Sequence, residues 1–196
     1  MKRLFLGLLL SVNFSAHCLE KLHSDYLVTF GNSEAPTKIV EYFSFTCPHC
    51  LMLYKRDFAK IKEKYLDSEK VLWVFHPVPM DLLTVQAMDC LKKLSEREKR
   101  LFLEAILDVI PEDDSPTSVL FMQKAMELFQ KPLPDLQEKD YLSKTQAFQD
   151  AFLFIKQEDK IAAVPTIEIN GKLLLKEIPE MAFIDKKMQG ITGASK

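Results

Sequence analysis

Lys38-Ile39-Val40-Glu41-Tyr42-Phe43-Ser44-Phe45-Thr46-Cys47-Pro48-His49-Cys50 begins as a strand and ends as a helix. Up to Phe45 nearly every residue is apolar, β-branched or aromatic, which suits a strand buried on both faces. Pro48 then takes the opening position of a helix, where its missing N–H would have had no partner anyway. Beyond the cysteines, Leu51, Tyr54, Phe58, Ile61 and Tyr65 recur at +3 and +4 as one apolar stripe. Val71 to His76 reads as a second buried strand, ended by Pro77 and Pro79. Strand, helix and strand make a βαβ unit.

Outward from this unit the pattern changes. Residues 81–160 read as helical throughout, with stripes at Leu83, Ala87, Cys90, Leu91 and Leu94 and at Phe102, Ile106 and Val109. Ser115-Pro116 is an N-cap and first-turn proline for a helix running through Phe129. Tyr141, Thr145, Phe148, Phe152 and Ile155 form a further stripe. Strand character returns at Val164 to Ile169, with Asn170-Gly171 as a two-residue turn and Lys172 to Lys176 as the partner. Pro179 opens a last helix that turns Met181, Ile184 and Met188 inward, with Gly190 as its C-cap. The chain has no internal repeats.

The 196 residues are 47% hydrophobic and 28% charged, enough to bury a core without disulfide staples. Lys2 and Arg3, the apolar run Leu4 to Phe14 and the small residues Ser15 to Cys18 have the order of a secretory signal peptide. Eleven apolar residues are too few for a spanning helix, which needs ~20. Cleavage is expected after Ala16 or Cys18; lipidation of Cys18 is the lesser alternative, since His17 is a poor neighbour for it. Export is therefore expected, into a periplasm. Losing Lys2 and Arg3 takes the bases from 26 to 24 against 28 acids, so the formal charge moves from −2 to −4. A mildly acidic surface with no basic run excludes nucleic acid as a partner and gives no footprint for anionic membrane.

Export leaves Cys47, Cys50 and Cys90. A pair closing so short a loop adds little stability, so Cys47 and Cys50 are expected to form a disulfide that turns over. At a strand-to-helix junction the free first-turn N–H groups and the helix dipole favour thiolate over thiol at Cys47. The thiolate is the attacking species in disulfide exchange, which makes Cys47 the nucleophile and Cys50, one turn on, the resolving cysteine. His49 brings a ring that can be cationic and stabilise the thiolate. Glu41, six residues before Cys47 on the buried strand, falls on the Cys47-facing side of the pleat. A buried carboxylate there can relay the proton that Cys50 gains or loses. Zinc would need four ligands, and Cys90, His23, His49 and His76 are scattered without ligand spacing, so no metal and no cofactor is expected. Cys90 lies on an apolar stripe and reads as an inert, buried small residue. His76 and the segment Pro77–Met80 either border the site or are loop punctuation.

Gly31 to Cys50 (GNSEAPTKIVEYFSFTCPHC) and Ala162 to Lys172 (AAVPTIEINGK), with the helical block between them, resemble the DsbA-like thioredoxin-fold proteins. The resemblance covers roughly residues 25–188 and rests most on Cys47-Pro48-His49-Cys50. It implies an α/β thioredoxin fold with an inserted all-helical domain. The expected boundaries are a signal peptide at 1–18, a discontinuous thioredoxin-like domain at 19–79 and 162–196, and the insertion at 80–161. It also implies a cis peptide at Val164-Pro165, which leaves the Val164 backbone free to pair with a substrate strand beside Cys47, with Thr166 following. Read without the resemblance, Pro165 is equally a proline at a strand start.

The function so implied is thiol–disulfide exchange with protein thiols and disulfides, by a monomer, with a membrane redox partner. The short segment before Val40 leaves no space for a dimerisation domain. Thr46 and Thr166 depart from the best-known oxidases of that family, and the direction of catalysis stays open. Proteins of this fold span roughly −270 to −120 mV, a range of only about 7 kcal/mol. A non-redox peptide-binding or chaperone module on the same fold is the alternative. Glutathione-using enzymes of this broad fold generally lack a resolving cysteine, and Cys50 is present.

Overall fold

The computed structural model describes residues 24–109, 163–173 and 181–192, together with Gln130, Gln149, Leu153 and Ile161. Its centre is a five-stranded sheet: β1 (Val28–Gly31), β2 (Thr37–Phe43), β3 (Val71–Pro77), β4 (Thr166–Ile169) and β5 (Lys172–Leu173). The strands lie in the order β1-β3-β2-β4-β5. β2 and β3 run parallel, with Glu41 opposite Phe75, while β1 and β4 flank them antiparallel. Parallel strands need a long crossover, and here it is the helical stretch that starts at α1 (Pro48–Leu53) and ends at Leu66.

β2 is covered on both faces, and every residue of it but Lys38 is buried. Ile39 and Phe43 enter a large core with Val71, Trp73 and Phe75, while Val40 and Tyr42 enter a second one with Leu72 and Val74. The period of two in a strand makes this division. Phe75 is the hub of the larger core, with the rings of Phe30, Phe43 and Phe58 at 5.1–5.7 Å in edge-to-face contact. Truncating such a ring to alanine costs about 3–5 kcal/mol.

The crossover departs from a uniform helix. After α1 come a π-helical stretch Tyr54–Phe58, α2 (Ala59–Ile61) and a second π-helical stretch Lys62–Leu66. A π turn shifts the buried face by one residue, because its bonds run from i to i+5. Leu53, Phe58, Ile61 and Leu66 are consequently buried, and Tyr65, expected at the end of the stripe, is only half-buried. Asp57 is brought inward by the same shift, and Arg56 binds its carboxylate at 2.6 Å.

From the helical block, α3 (Leu82–Leu91) and α4 (Glu96–Val109) lie within the described residues. Leu83, Ala87, Cys90, Leu91, Phe102 and Ile106 bury their stripes in the same core as Phe75. The stripes expected at 115–129 and 141–155 lie outside the described residues. β4 and β5 are joined by Asn170 and Gly171, both at positive φ, as a tight hairpin turn requires. α5 (Met181–Thr192) buries Ile184 and Met188. Gly190 sits inside α5 rather than capping it, since two further helical residues follow.

β1 was absent from the sequence expectations. Val28 and Phe30 face the core while Gly31 is exposed, so only two residues carry the alternation. The partner that makes it a strand, β3, lies more than forty residues away in sequence.

Candidate active site

β2 ends at Phe43, and the connection Ser44–Thr46 carries the chain to Cys47, the N-cap of α1. Cys47 is extended (φ −80°, ψ 111°), and Pro48 follows as the first helical residue. The Cys50 backbone N–H points back at the Cys47 sulfur over 3.4 Å. Cys50 is buried at 3% exposure, Cys47 is partly exposed, and both thiols are free. The outer sulfur can be approached and the inner one cannot.

The environment separates the two sulfurs electrostatically as well. Cys47 is pulled down from 9.0 to about 6. The Cys50 thiol donating to it is the largest cause; the N–H groups of Cys50 and His49 and the His49 charge add to it, against the opposing effect of burial. Cys50 is pushed strongly upward, first by burial, then by donating its proton to Cys47, then by the nearby Glu41 carboxylate. One sulfur is thus held as thiolate and its neighbour as thiol. The side chain of His49 is exposed, so its backbone N–H serves Cys47 more directly than its ring.

Glu41 lies in the larger core beneath the pair, at 1% exposure. Burial raises its pKa from 4.5 to about 8; Trp73, whose indole Nε1–H donates to Oε2 at 3.1 Å, partly offsets this, and the charge on Cys47 adds to the rise. A carboxyl of that strength exchanges protons near neutral pH.

The chain returns to the site at the end of the helical block. The Val164-Pro165 peptide is cis, and the Val164 carbonyl oxygen accepts from the Cys47 thiol at 3.5 Å. Thr166 is buried, and its hydroxyl donates to the Ala163 carbonyl at 2.6 Å, closing the loop around Pro165. Cys47, Cys50, Glu41 and Val164 therefore come together. His76 does not join them: it stands opposite Tyr42 in register, on the other face of the strand pair from Glu41 and Phe75, with Nδ1 against the Pro77 carbonyl. Cys90 is fully buried in α3, and burial pushes its thiol up to about 12.

A cluster that sequence reading missed holds the strand-to-helix connection in place. Asp81 caps α3 by accepting the Thr84 N–H at 2.8 Å. Its other oxygen takes the Ser44 hydroxyl at 2.6 Å and the Thr84 hydroxyl at 2.8 Å. Thr84 Oγ1 in turn accepts the Phe45 N–H, and the Ser44 carbonyl accepts the Cys47 N–H. Thr46 lies against Ser44 with 3.0 Å between the hydroxyl oxygens. An Asp three residues before a Thr at a helix start was the available signal, but it announces a cap and not its reach back to Ser44.

A family model described as Thioredoxin matches residues 23–184. A Rickettsia bellii protein, provisionally named a protein-disulfide oxidoreductase, is 40% identical over 47 residues, which are 24% of this chain. The match spans only 18% of that relative's length. A Bacillus cereus protein, provisionally named disulfide bond formation protein D, is 25% identical over 173 residues, covering 82% of this chain and 78% of the relative. Among solved structures, BdbD from Bacillus subtilis superposes with a TM-score of 0.68 at 18% identity, over 88% of this chain and 93% of its own. Alpha-DsbA1 from Wolbachia pipientis superposes with a TM-score of 0.64 at 24% identity, over 92% and 96%. The fold these proteins share is the thioredoxin fold in its DsbA-like form.

Proposed function

We propose a function for a chain that belongs to the thioredoxin family: a thiol–disulfide oxidoreductase that exchanges electrons with protein thiols and disulfides through Cys47 and Cys50. The observation that carries this reading is the split between the two sulfurs, one partly exposed with its pKa near 6 and the other buried and held protonated. Cys47 thiolate attacks a substrate disulfide; one substrate sulfur leaves as thiolate and the other stays bound to Cys47. Cys50 loses its proton to Glu41 and attacks the Cys47 sulfur, releasing the second substrate thiolate and closing the Cys47–Cys50 disulfide. In the opposite direction a substrate thiolate attacks that disulfide at Cys47, and Glu41 returns the proton to Cys50. The Val164 backbone beside Cys47 pairs with the substrate chain, with Pro165 and Thr166 shaping the loop.

We further propose export by the N-terminal leader to a periplasm, action as a monomer and renewal by a membrane redox partner. The names of the relatives support the disulfide chemistry, and the order of residues 1–18 supports export.

Equilibration with glutathione buffers tests the redox reading. Wild type should form a reversible Cys47–Cys50 disulfide with a potential between roughly −270 and −120 mV. Cys47→Ser should abolish exchange, and Cys50→Ala should accumulate a mixed disulfide with substrate. Exchange surviving in Cys47→Ser would refute the assignment. Peptide binding with no exchange in wild type would favour the non-redox module.

A further inference from the structure

We propose that Trp73 is a positioning residue for proton transfer at the cysteine pair: its indole N–H binds one oxygen of the Glu41 carboxyl and so dictates which oxygen exchanges the proton. This rests on the reading of Glu41 as relay given above. Trp73 stands opposite Ile39 in register, and Glu41 stands opposite Phe75, so Trp73 and Glu41 share a face of the β2–β3 pair. Trp73 is 0% exposed and Glu41 1%, and the Nε1–Oε2 contact of 3.1 Å is shielded from water.

Indole is a donor only. Oε2 therefore accepts in both protonation states of Glu41, and because the carbonyl oxygen of a carboxylic acid is the stronger acceptor, the neutral acid favours its proton on Oε1. The donor is also uncharged. A cation in its place would hold Glu41 ionised throughout, and an apolar ring would leave it neutral, because hydrogen bonding to the charged form is what offsets burial. Among the described residues, the groups that face Glu41 are Cys47 at the N-cap of α1, Cys50 within it, Trp73 and Phe75 from β3 and Ile167 from β4. Of these only the cysteines change charge. The proton that leaves Cys50 as it attacks the Cys47 mixed disulfide is taken at Oε1; the Cys47–substrate bond breaks and the substrate sulfur departs with the electron pair.

Trp73 is the only tryptophan in the chain, so its emission reads the contact directly. Reduced full-length protein titrated with pH should give two emission transitions, near 6 from Cys47 and near 8 from Glu41. Glu41→Gln should remove the upper transition and keep the lower, while Cys47→Ser should do the reverse. Trp73→Phe should move the midpoint for resolution of a cysteine-peptide mixed disulfide upward by about one pH unit, tenfold in proton affinity, without moving the Cys47 titration. A mere packing role leaves that midpoint in place and overturns the proposal, as does an upper transition that survives Glu41→Gln. Should Trp73→Phe fail to fold, the Glu41→Gln emission decides alone. The emission of the Cys47→Ser variant tests the indole contact even where exchange chemistry is absent, which separates the failure of this inference from failure of the redox assignment.

Discussion

The Cys47 sulfur lies 3.5 Å from the Val164 carbonyl oxygen, although 117 residues separate them in sequence. The contact brings the start of α1 against the loop that leads into β4. In the function proposed above, a substrate chain reaching Cys47 would meet the Val164 backbone at the same place.

Cys47 should titrate near 6 when thiolate absorbance is followed in the reduced protein. Cys50→Ala should raise that midpoint more than His49→Ala, because the Cys50 thiol is the largest of the lowering causes and the His49 charge the smallest. The reverse order would disprove this account of how the thiolate is held.

Brief treatment with iodoacetamide at neutral pH should label Cys47 alone among the three described cysteines. Cys50 is buried and held protonated, and Cys90 is fully buried with its thiol pushed up to about 12. Peptide mapping by mass spectrometry reads the outcome; fast labelling of Cys90 in folded protein would contradict it.

Glu41 makes the fold less stable as pH rises. Its folded-state pKa of about 8 lies above the unfolded value near 4.5, so the unfolded chain gives up its proton first. Stability is lost progressively across that window and changes little from this group outside it. Glu41→Gln keeps an acceptor for Trp73 and removes the titration. The variant should match wild type at pH 4 and exceed it at pH 7 by up to about 3 kcal/mol in urea unfolding of the reduced forms. An equal difference at both values would mean that the gain is not electrostatic.

Asp81→Ala should destabilise the protein by about 2–4 kcal/mol, combining a lost helix cap with two hydroxyls stripped of their acceptor. Ser44→Ala should cost less, since it removes one donor to Asp81 and leaves the helix cap and the Thr84 hydroxyl contact in place. Denaturant midpoints give the ranking, and a milder effect for Asp81→Ala would reject the shared anchor.

Gly31→Ala should lower stability by about 2 kcal/mol or more, seen as a drop in melting temperature. Gly31 has φ +91°, and a Cβ there would stand 2.2 Å from the Val71 carbonyl oxygen, which is backbone and cannot step aside. A neutral substitution would mean that β1 has room to shift against β3.

Wherever local periodicity is enough to define an element, sequence and structure agree: β2, the start of α1, β3, the β4–β5 turn and the inward Ile184 and Met188 of α5. Where they part, a distant partner or a backbone adjustment decides. β1 needs β3 beside it, the π turns hand the core position of Tyr65 to Leu66, and α5 continues past Gly190. At the site, Cys47, Cys50 and Glu41 could be named from spacing because strand and helix repeats fix which side of the chain each occupies. Trp73, Asp81, Ser44 and Thr84 could not, since each acts through a hydrogen bond to a residue about thirty to forty positions away, except for the cap within α3.

Local residue order by itself determined that a cysteine would cap a helix straight after a buried strand, because proline, dipole and alternation all act within a few residues. Only the tertiary structure decided how acidic that cysteine is, which oxygen of Glu41 is bound, and that Val164 is its neighbour. Burial and hydrogen bonding set those properties, and both depend on chain segments that meet only once the sheet has formed.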